Sequence, residues 1–161
     1  MRTIEGTPSA AGLRFAVIVS KYNDFVTERL QSGALAALAT AGASSNDVTV
    51  VRVPGAFEIP IAAQHAAETG QYDAIVCLGC VIRGATPHFE YIASAVANGV
   101  TSASAATGIP MAFGVLTTNS VEEAIERAGE GDGNKGREAA LAAIEMATMI
   151  AQLTRLPSAK A

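Results

Sequence analysis

Short apolar runs alternate with longer segments of helical periodicity along most of this chain. The apolar runs are rich in Val, Ile, Leu and Ala and span residues 15–19, 48–53, 74–82 and 111–116. The predicted helices span residues 25–41, 58–69, 88–107, 121–128 and about 135–156. Near-continuous apolar strands between helices are typical of a parallel sheet that is covered on both faces. We therefore predict an α/β fold with a central, mostly parallel sheet between two layers of helices, and a further short edge strand around Ile4.

No repeat, low-complexity linker or change in composition divides the chain. Its 161 residues are also a usual length for one compact domain. We predict a single domain over residues 1–161, with a loose N-terminal segment at 1–12 and a loose tail at 157–161.

Composition narrows the class of protein. Half of the residues are hydrophobic, but no apolar run reaches the roughly 20 residues that span a bilayer, and the start of the chain does not read as a signal peptide. The net charge is −4 without a basic cluster, which argues against nucleic acid as a partner. We expect a soluble, cytoplasmic protein without a membrane or nucleic-acid partner.

The chain is poor in charge for its size. Only 16% of its residues are charged, where about 25% is usual, and alanine makes up much of the apolar excess. This composition favours a homo-oligomer whose subunits bury part of this surface. Tight helix packing inside the domain is the alternative.

Unusual polar and aromatic residues follow the predicted strands. In a parallel sheet, ligands bind beyond the carboxyl ends of the strands. The segments at these places are Tyr22-Asn23-Asp24, Pro54-Gly55-Ala56-Phe57-Glu58, residues 79–88, Phe113-Gly114 and Thr117-Thr118-Asn119. They predict one composite pocket at this edge of the sheet.

Residues 79–88 lead from a buried strand directly into a helix. Thr86 can serve as the N-cap and Pro87 fits the first helical position, and the free amides at a helix start can bind phosphate. The spacing is close to a Walker A loop, but Ala85 stands where the lysine belongs, so a triphosphate is not expected. A single phosphate held by the backbone of Ala85 and Thr86 is one interpretation, and an ordinary strand-to-helix turn is the other.

His88 is expected in the first turn of this helix, beside the possible phosphate seat. A helix N-terminus disfavours the imidazolium, and a neutral imidazole can relay protons near neutral pH. A histidine near a helix start is otherwise most often a surface residue, so both interpretations stay open.

Three charged residues have a structural and a binding interpretation. Glu58, near a helix start, either complements the helix dipole or accepts hydrogen bonds from ligand hydroxyls. Arg127 follows Glu123 at the spacing of a helical ion pair, but arginine also anchors phosphate through two parallel hydrogen bonds. Lys135 lies in a glycine-rich turn and is a second candidate cation. The sequence does not choose between the two cations.

Tyr22 and Phe113 are aromatic residues at predicted strand ends. Flat rings at such places suit stacking on a heteroaromatic ligand. Packing at the rim of the core is the alternative.

Cys77 and Cys80 lie an odd number of positions apart on a predicted buried strand. Their thiols should therefore point to opposite faces of the sheet. We expect neither a redox pair nor a metal site from them.

Four longer motifs occur in order along the chain. They are Pro54-Gly55-Ala56-Phe57-Glu58-Ile59-Pro60, Gly79-x-Val81-Ile82-Arg83-Gly84-x-Thr86-x-His88, Gly114-Val115-Leu116-Thr117-Thr118 and Ala124-Ile125-Glu126-Arg127-Ala128-Gly129. Together they resemble the 6,7-dimethyl-8-ribityllumazine synthase (lumazine synthase) family. The similarity runs from about Ile4 to Met149.

The resemblance implies a flavodoxin-like, three-layer α/β fold and a transferase of riboflavin biosynthesis. The implied reaction condenses 5-amino-6-(D-ribitylamino)uracil with 3,4-dihydroxy-2-butanone 4-phosphate to 6,7-dimethyl-8-ribityllumazine, phosphate and water, the penultimate step. It implies neither a metal nor a cofactor. Pentamers are the basic unit of the family, and the short glycine-rich turn at 129–136 resembles the members that assemble further into an icosahedral shell.

The resemblance also implies roles for residues at matching positions. The ring of Tyr22 would stack on the pyrimidine, and His88 would relay protons. The other implied contacts are Ala56, Phe57 and Glu58 to the ribityl chain, Cys80, Val81 and Ile82 to the pyrimidine through their backbone, and Ala85 and Thr86 to the phosphate. Phe113 and Arg127 would arrive from a neighbouring subunit, with Lys135 a second candidate ligand of the butanone phosphate.

Two of these positions depart from the family pattern. Tyr22 stands where phenylalanine or tryptophan is common, and Cys80 replaces a commoner threonine or alanine. Stacking is expected to survive the first change. A contact through the backbone is expected to tolerate the second.

Two other classes of protein stay open. A flavin-binding electron carrier shares the expected fold, but its phosphate loop after the first strand is rich in Ser, Thr and Gly, whereas this chain reads Ser20-Lys21-Tyr22-Asn23-Asp24. A purely structural shell protein would not need His88 and Arg127 together.

Overall fold

In the computed structural model, which describes residues 1–159, four strands alternate with five α-helices. The strands are β1 (Phe15–Ser20), β2 (Val48–Val53), β3 (Ala74–Ile82) and β4 (Met111–Thr118). The helices are α1 (Asp24–Thr40), α2 (Ile59–Glu68), α3 (His88–Thr107), α4 (Val121–Arg127) and α5 (Lys135–Thr154). Short 3-10 helices, Ser45–Asp47 and Ala56–Glu58, precede β2 and α2. Of the predicted loose tail, residues 160 and 161 lie outside the described residues.

The sheet is parallel throughout, in the order β2-β1-β3-β4. The first strand therefore lies inside the sheet, and the chain winds outward from it in both directions. This is the strand order of the flavodoxin-like folds, in which ligands bind at the carboxyl edge where the winding reverses. The predicted α/β fold with a parallel sheet is confirmed.

Helices cover both faces of this sheet, as predicted. Alternate side chains of a strand point to opposite faces: Phe15, Val17 and Val19 pack with α1 and α5, whereas Ala16 and Ile18 pack with α2 and α3. All five side chains are fully buried, which explains the uninterrupted apolar run of β1. None of the helices described here is long and apolar enough to cross a membrane.

The predicted edge strand around Ile4 is wrong, since the four-stranded sheet of the described residues does not include it. The segment lies across α5 instead. The Thr7 amide donates to Thr148 Oγ1 at 2.8 Å, and the Gln152 side chain donates to the Glu5 carbonyl. One apolar residue among polar neighbours offers little side-chain packing to an edge strand, so hydrogen bonds to the helix decide its path.

The two cysteines point to opposite faces, as predicted. Cys77 packs on the side of α2 and α3, and Cys80 on the side of α1 and α5. Burial raises the pKa of Cys77 to about 12 and that of Cys80 to about 11. Both are therefore neutral thiols near pH 7, without the thiolate that redox chemistry requires.

Candidate active site

The loops after β1, β2 and β3 meet at the carboxyl edge of the sheet. The Tyr22 amide donates to the Pro54 carbonyl at 3.1 Å, and Asn23 Nδ2 donates to the Cys80 carbonyl at 2.9 Å. These two bonds join the first loop to the second loop and to the third strand. The predicted site residues that gather here, which we call the carboxyl-edge group, are Tyr22, Ala56, Phe57, Glu58, Cys80, Val81, Ile82, Ala85, Thr86 and His88.

Asn23 shapes the turn that carries Tyr22, although the sequence analysis gives it no role beyond its place in the segment Tyr22-Asn23-Asp24. Its φ is 62°, and no other non-glycine residue in the described part of the chain has a positive φ. Asparagine tolerates the left-handed region better than most residues. Its position between a buried strand and a helix was the signal that could have identified it.

Two aromatic rings of the carboxyl-edge group stand in solvent. Tyr22 is 73% exposed and Phe57 is 62% exposed, so neither ring serves the core of its own chain. Glu58 ends the 3-10 helix beside Phe57 and is half-buried, with its amide bonded to the Gly55 carbonyl at 3.2 Å. Exposed rings with a carboxylate nearby suit a polar heteroaromatic ligand.

The turn between β3 and α3 is exposed, and α3 begins at His88. The capping prediction is wrong, because Pro87 rather than Thr86 occupies the N-cap position, and no side chain caps the helix. The ring of Pro87 holds φ at −70°, but its ψ of 2° is not helical, so the helix starts one residue later. Among the described residues, the Ala85 and Thr86 amides donate no backbone hydrogen bond, which leaves them available to an anion.

Arg83 holds the first turn of α3 in place. Its Nε donates to Asn119 Oδ1 at 2.9 Å, its Nη1 donates to Glu90 Oε1 at 3.0 Å, and its guanidinium lies 4.6 Å from the centre of the Phe89 ring. The turn that presents His88 is therefore fastened to the end of β4. The sequence signals for Arg83 are its position directly after a buried strand and its place in the motif that ends at His88.

Phe113, Arg127 and Lys135 gather elsewhere, along the outer edge of β4. They line a cavity of about 460 Å³, and within the described part of the chain no residue of the carboxyl-edge group lines it. We call these three residues the β4-edge group. The predicted site residues thus fall into two separate groups on one subunit.

The prediction that Phe113 lies at the carboxyl end of its strand is wrong. Phe113 is in register with Cys77, while Thr118 at the strand end is in register with Ile82. The five steps along the strand from Phe113 to Thr118 span roughly 16 Å at the usual rise per residue. Gly114 belongs to the strand rather than to a turn, and a Cβ there would collide with Leu78.

Both cations of the β4-edge group make surface ion pairs. Arg127 Nη1 lies 3.5 Å from Glu123 Oε2, the helical pair that the spacing predicts, and Lys135 Nζ lies 2.9 Å from Glu138 Oε2. Such exposed pairs contribute at most about 1 kcal/mol. A ligand phosphate can therefore compete for either cation.

The two groups together present backbone amides, a carboxylate, an imidazole and two cations. In residues 1–159, no three His, Cys, Asp or Glu side chains come together as a metal site. The arrangement suits a hydroxylated heterocycle and an organic phosphate, with proton transfer between them.

The chain matches a known protein family over most of its length. The family model for 6,7-dimethyl-8-ribityllumazine synthase matches residues 12–151 of the 161. The matched region contains all four described strands and every residue of the two groups. The chain therefore belongs to the 6,7-dimethyl-8-ribityllumazine synthase family, transferases of riboflavin biosynthesis.

Proposed function

We propose that this chain condenses 5-amino-6-(D-ribitylamino)uracil with 3,4-dihydroxy-2-butanone 4-phosphate to 6,7-dimethyl-8-ribityllumazine, the penultimate step of riboflavin biosynthesis. The family match over residues 12–151 carries the proposal. The two groups of side chains support it, because they offer an aromatic surface, a hydroxyl acceptor, a phosphate seat and a proton relay.

In this proposal the carboxyl-edge group binds the ribitylaminouracil. The exposed ring of Tyr22 stacks on the pyrimidine. Ala56 and Phe57 line the ribityl chain, and the Glu58 carboxylate accepts hydrogen bonds from its hydroxyls. The backbone of Cys80, Val81 and Ile82, at the carboxyl end of β3, contacts the pyrimidine.

The butanone phosphate binds between the two groups. Its phosphate accepts hydrogen bonds from the Ala85 and Thr86 amides, near the start of α3, where the helix dipole favours an anion. Arg127 leaves its 3.5 Å pair with Glu123 and gives the phosphate two parallel hydrogen bonds. Lys135 supplies the second positive charge.

The reaction proceeds by addition and elimination. The 5-amino nitrogen attacks the ketone carbon, and loss of water gives an imine. Loss of a proton from the adjacent carbon gives an enamine, the C–O bond to phosphate breaks, and phosphate leaves with the electron pair. Phosphate loss leaves an enol at the carbon that carried the hydroxyl, and this enol becomes a ketone when its terminal carbon gains a proton and its hydroxyl loses one. The ribitylamino nitrogen then adds to this new carbonyl, and a second water leaves as the ring closes. His88 relays the protons between carbon, nitrogen and departing oxygen.

Positioning is the largest contribution in this mechanism. An arylamine and a ketone react without strong electrophilic help, and holding them together removes several kcal/mol of entropic barrier. Proton relay by His88 adds a factor of roughly 10²–10⁴.

The proposal includes a homopentamer in which neighbouring subunits share each site. Phe113, Arg127 and Lys135 would reach the carboxyl-edge group of the next subunit, since one subunit keeps the two groups apart. Large apolar side chains exposed on the single chain, such as Ile61, Tyr91 and Met146, would be covered by this contact. The short turn at 129–136 favours further assembly into an icosahedral shell, which light scattering or electron microscopy would reveal.

We also propose a cytoplasmic location. Cys77 and Cys80 are unpaired in the structure, as is usual for proteins of a reducing compartment. Fractionation of cells that express the chain would test this.

The proposed reaction is tested by mixing the purified chain with both substrates and following lumazine fluorescence. Product should form only when both substrates are present, with one phosphate released per lumazine. Folded protein that binds neither substrate and makes no lumazine would overturn the proposal. Purified protein that carries a stoichiometric, redox-active flavin would favour an electron carrier instead.

A further inference from the structure

We infer that Asn134 is a positioning residue for the butanone phosphate, because its buried side chain fixes the backbone beside both Arg127 and Lys135. The inference rests on the proposed function, which gives these two cations to the phosphate. Asn134 itself touches neither substrate in this view.

Asn134 is only 4% exposed, and both polar atoms of its side chain are bonded. Nδ2 donates to the carbonyls of Gly129 at 3.0 Å, Ala128 at 3.2 Å and Arg29 at 3.2 Å. Oδ1 accepts from the Arg137 amide at 3.0 Å and so caps α5. One side chain thereby joins the end of α4, the start of α5 and the middle of α1.

These bonds lie next to the two cations. Ala128 directly follows Arg127, and Lys135 directly follows Asn134. Residues 130–133 between them are exposed, and Glu130 and Gly131 border an open cleft of about 1090 Å³ along α1. Apolar packing therefore does not hold this turn. An exposed ion pair between Arg137 and Asp132 at 3.5 Å and a backbone bond from Asn134 to Gly131 span it, and the buried Asn134 side chain anchors both of its ends beside the two cations.

Two glycines make the space for this arrangement. A Cβ on Gly33 of α1 would overlap the Asn134 side chain, and a Cβ on Gly136 of α5 would overlap the Leu30 carbonyl. The close approach of α1 and α5 thus leaves a space that the Asn134 side-chain amide fills. A larger residue at position 33 would displace the Asn134 side chain.

Capping alone does not require asparagine. Ser, Thr and Asp also accept a hydrogen bond from a helix amide, but only Asn combines that acceptor with two N–H donors on one short side chain. Asn134→Ser should keep the cap and lose the bonds to the three carbonyls. This substitution separates the helix-capping role from the positioning role.

The test is steady-state kinetics on the assembled, full-length chain. Asn134→Ser should raise KM for butanone phosphate roughly tenfold and leave kcat and KM for ribitylaminouracil within about twofold, because small displacements of binding groups weaken their contacts steeply. Inhibition by inorganic phosphate should weaken by the same factor. Ile75→Val, which reduces packing at the other face of the sheet, should change none of these constants.

A double-mutant comparison tests whether Asn134 acts on phosphate binding through Arg127 and Lys135. In an Arg127→Ala, Lys135→Ala background, Asn134→Ser should have no further effect on KM for butanone phosphate, since the groups that it positions are absent. Gly33→Ala should reproduce the KM increase without removing a polar group. It also serves as the test if Asn134→Ser does not fold.

Unchanged KM for butanone phosphate in both variants, with an active parent enzyme, would overturn this inference alone. Equal changes in both KM values and in kcat would also overturn it, because they indicate a general loss of structure. A folded parent enzyme that makes no lumazine would overturn the proposed function, and this inference with it.

Discussion

The carboxyl-edge group and the β4-edge group differ in how the fold delivers them. The first comes from loops that directly follow three parallel strands, and the bond from Asn23 to the Cys80 carbonyl ties two of these elements together at 2.9 Å. The second comes from the edge strand β4, the last residue of α4 and the first residue of α5, and Asn134 joins these two helix ends. The sheet therefore positions the first group, and helix packing positions the second.

This difference explains why the two groups lie apart on one subunit. Loops at the carboxyl edge converge on one pocket within a chain, whereas side chains on an exposed sheet edge face away from it. In the proposed pentamer, such side chains complete a pocket when another chain brings its own carboxyl edge to them. We therefore expect variants of the two groups to behave differently in the kinetics and in mixed assemblies.

The largest expected effect is at the β4-edge group. Arg127→Ala should lower kcat/KM for butanone phosphate on the order of 1000-fold, because two charge-assisted hydrogen bonds of roughly 1.5–3 kcal/mol each are lost. The measurement is the initial rate of lumazine formation against butanone phosphate concentration. Glu126→Ala, an exposed neighbour on α4, is the matched control and should keep the parent rate. Parent-like kinetics in Arg127→Ala would show that the β4-edge group does not belong to the site.

The second largest expected effect is at the carboxyl-edge group, and it lowers kcat rather than raising KM. His88→Ala should lower kcat roughly 100-fold, at the lower end of what proton relay supplies, with both KM values nearly unchanged. His65, exposed on α2, provides the control His65→Ala, which should have parent kinetics. Complete loss of turnover with both substrates still bound would mean that proton transfer, rather than positioning, dominates.

Much of the fold and of the carboxyl-edge group follows from local pattern. The strands are apolar because both faces of the sheet are covered, and their ends locate the loops that carry Tyr22, Glu58 and His88. The end of β4 was harder to predict, because the polar residues Thr117 and Thr118 continue the strand and Gly114 lies within it. Phe113 was assigned to the wrong end of the strand for this reason.

Other features depend on contacts between residues far apart in the sequence. Asn23 bonds to Cys80, Arg83 to Asn119 and Asn134 to the carbonyl of Arg29, over separations of 57, 36 and 105 residues. No spacing rule identifies such pairs, since they arise only when the sheet and helices have packed. The path of the N-terminal segment over α5 has the same origin.

A mixing experiment tests the separation of the two groups directly. If neighbouring subunits share a site, Arg127→Ala chains can supply His88 while His88→Ala chains supply Arg127. In a random, equal mixture about one quarter of the sites would have both native residues, because each of two adjacent positions is filled correctly half of the time. The parent rate should recover to about that fraction after the variants are unfolded and refolded together.

The mixing result has a built-in control. Each variant unfolded and refolded alone should keep its low rate, and mass spectrometry should show that both chains are present in one assembly. Verified mixed assemblies without recovered activity would contradict a shared site. Recovery without mixing would contradict the assignment of either residue.

The smallest expected effect on activity is at Cys80, where β3 contributes to the carboxyl-edge group through its backbone. Cys80→Ala should keep kcat/KM within about twofold, because the carbonyl that accepts from Asn23 is unchanged and a core methyl group replaces a buried thiol. A loss of activity above tenfold would mean that the thiol contacts a substrate. Tyr22→Ala is the contrasting variant, since its ring rather than its backbone is proposed to bind.

Cys80→Ala should also change how the free energy of unfolding depends on pH. Burial raises the pKa of Cys80 from 9.0 to about 11, so the unfolded chain releases this proton from about pH 9 while the folded chain retains it. Stability that is present below pH 9 is therefore lost as the pH rises towards 11. When the pH is raised from about 8 to about 10, the unfolding free energy of the parent should fall by about 1 kcal/mol more than that of Cys80→Ala. Urea denaturation at one fixed protomer concentration measures this difference, and equal losses in the two proteins would contradict the burial of the thiol.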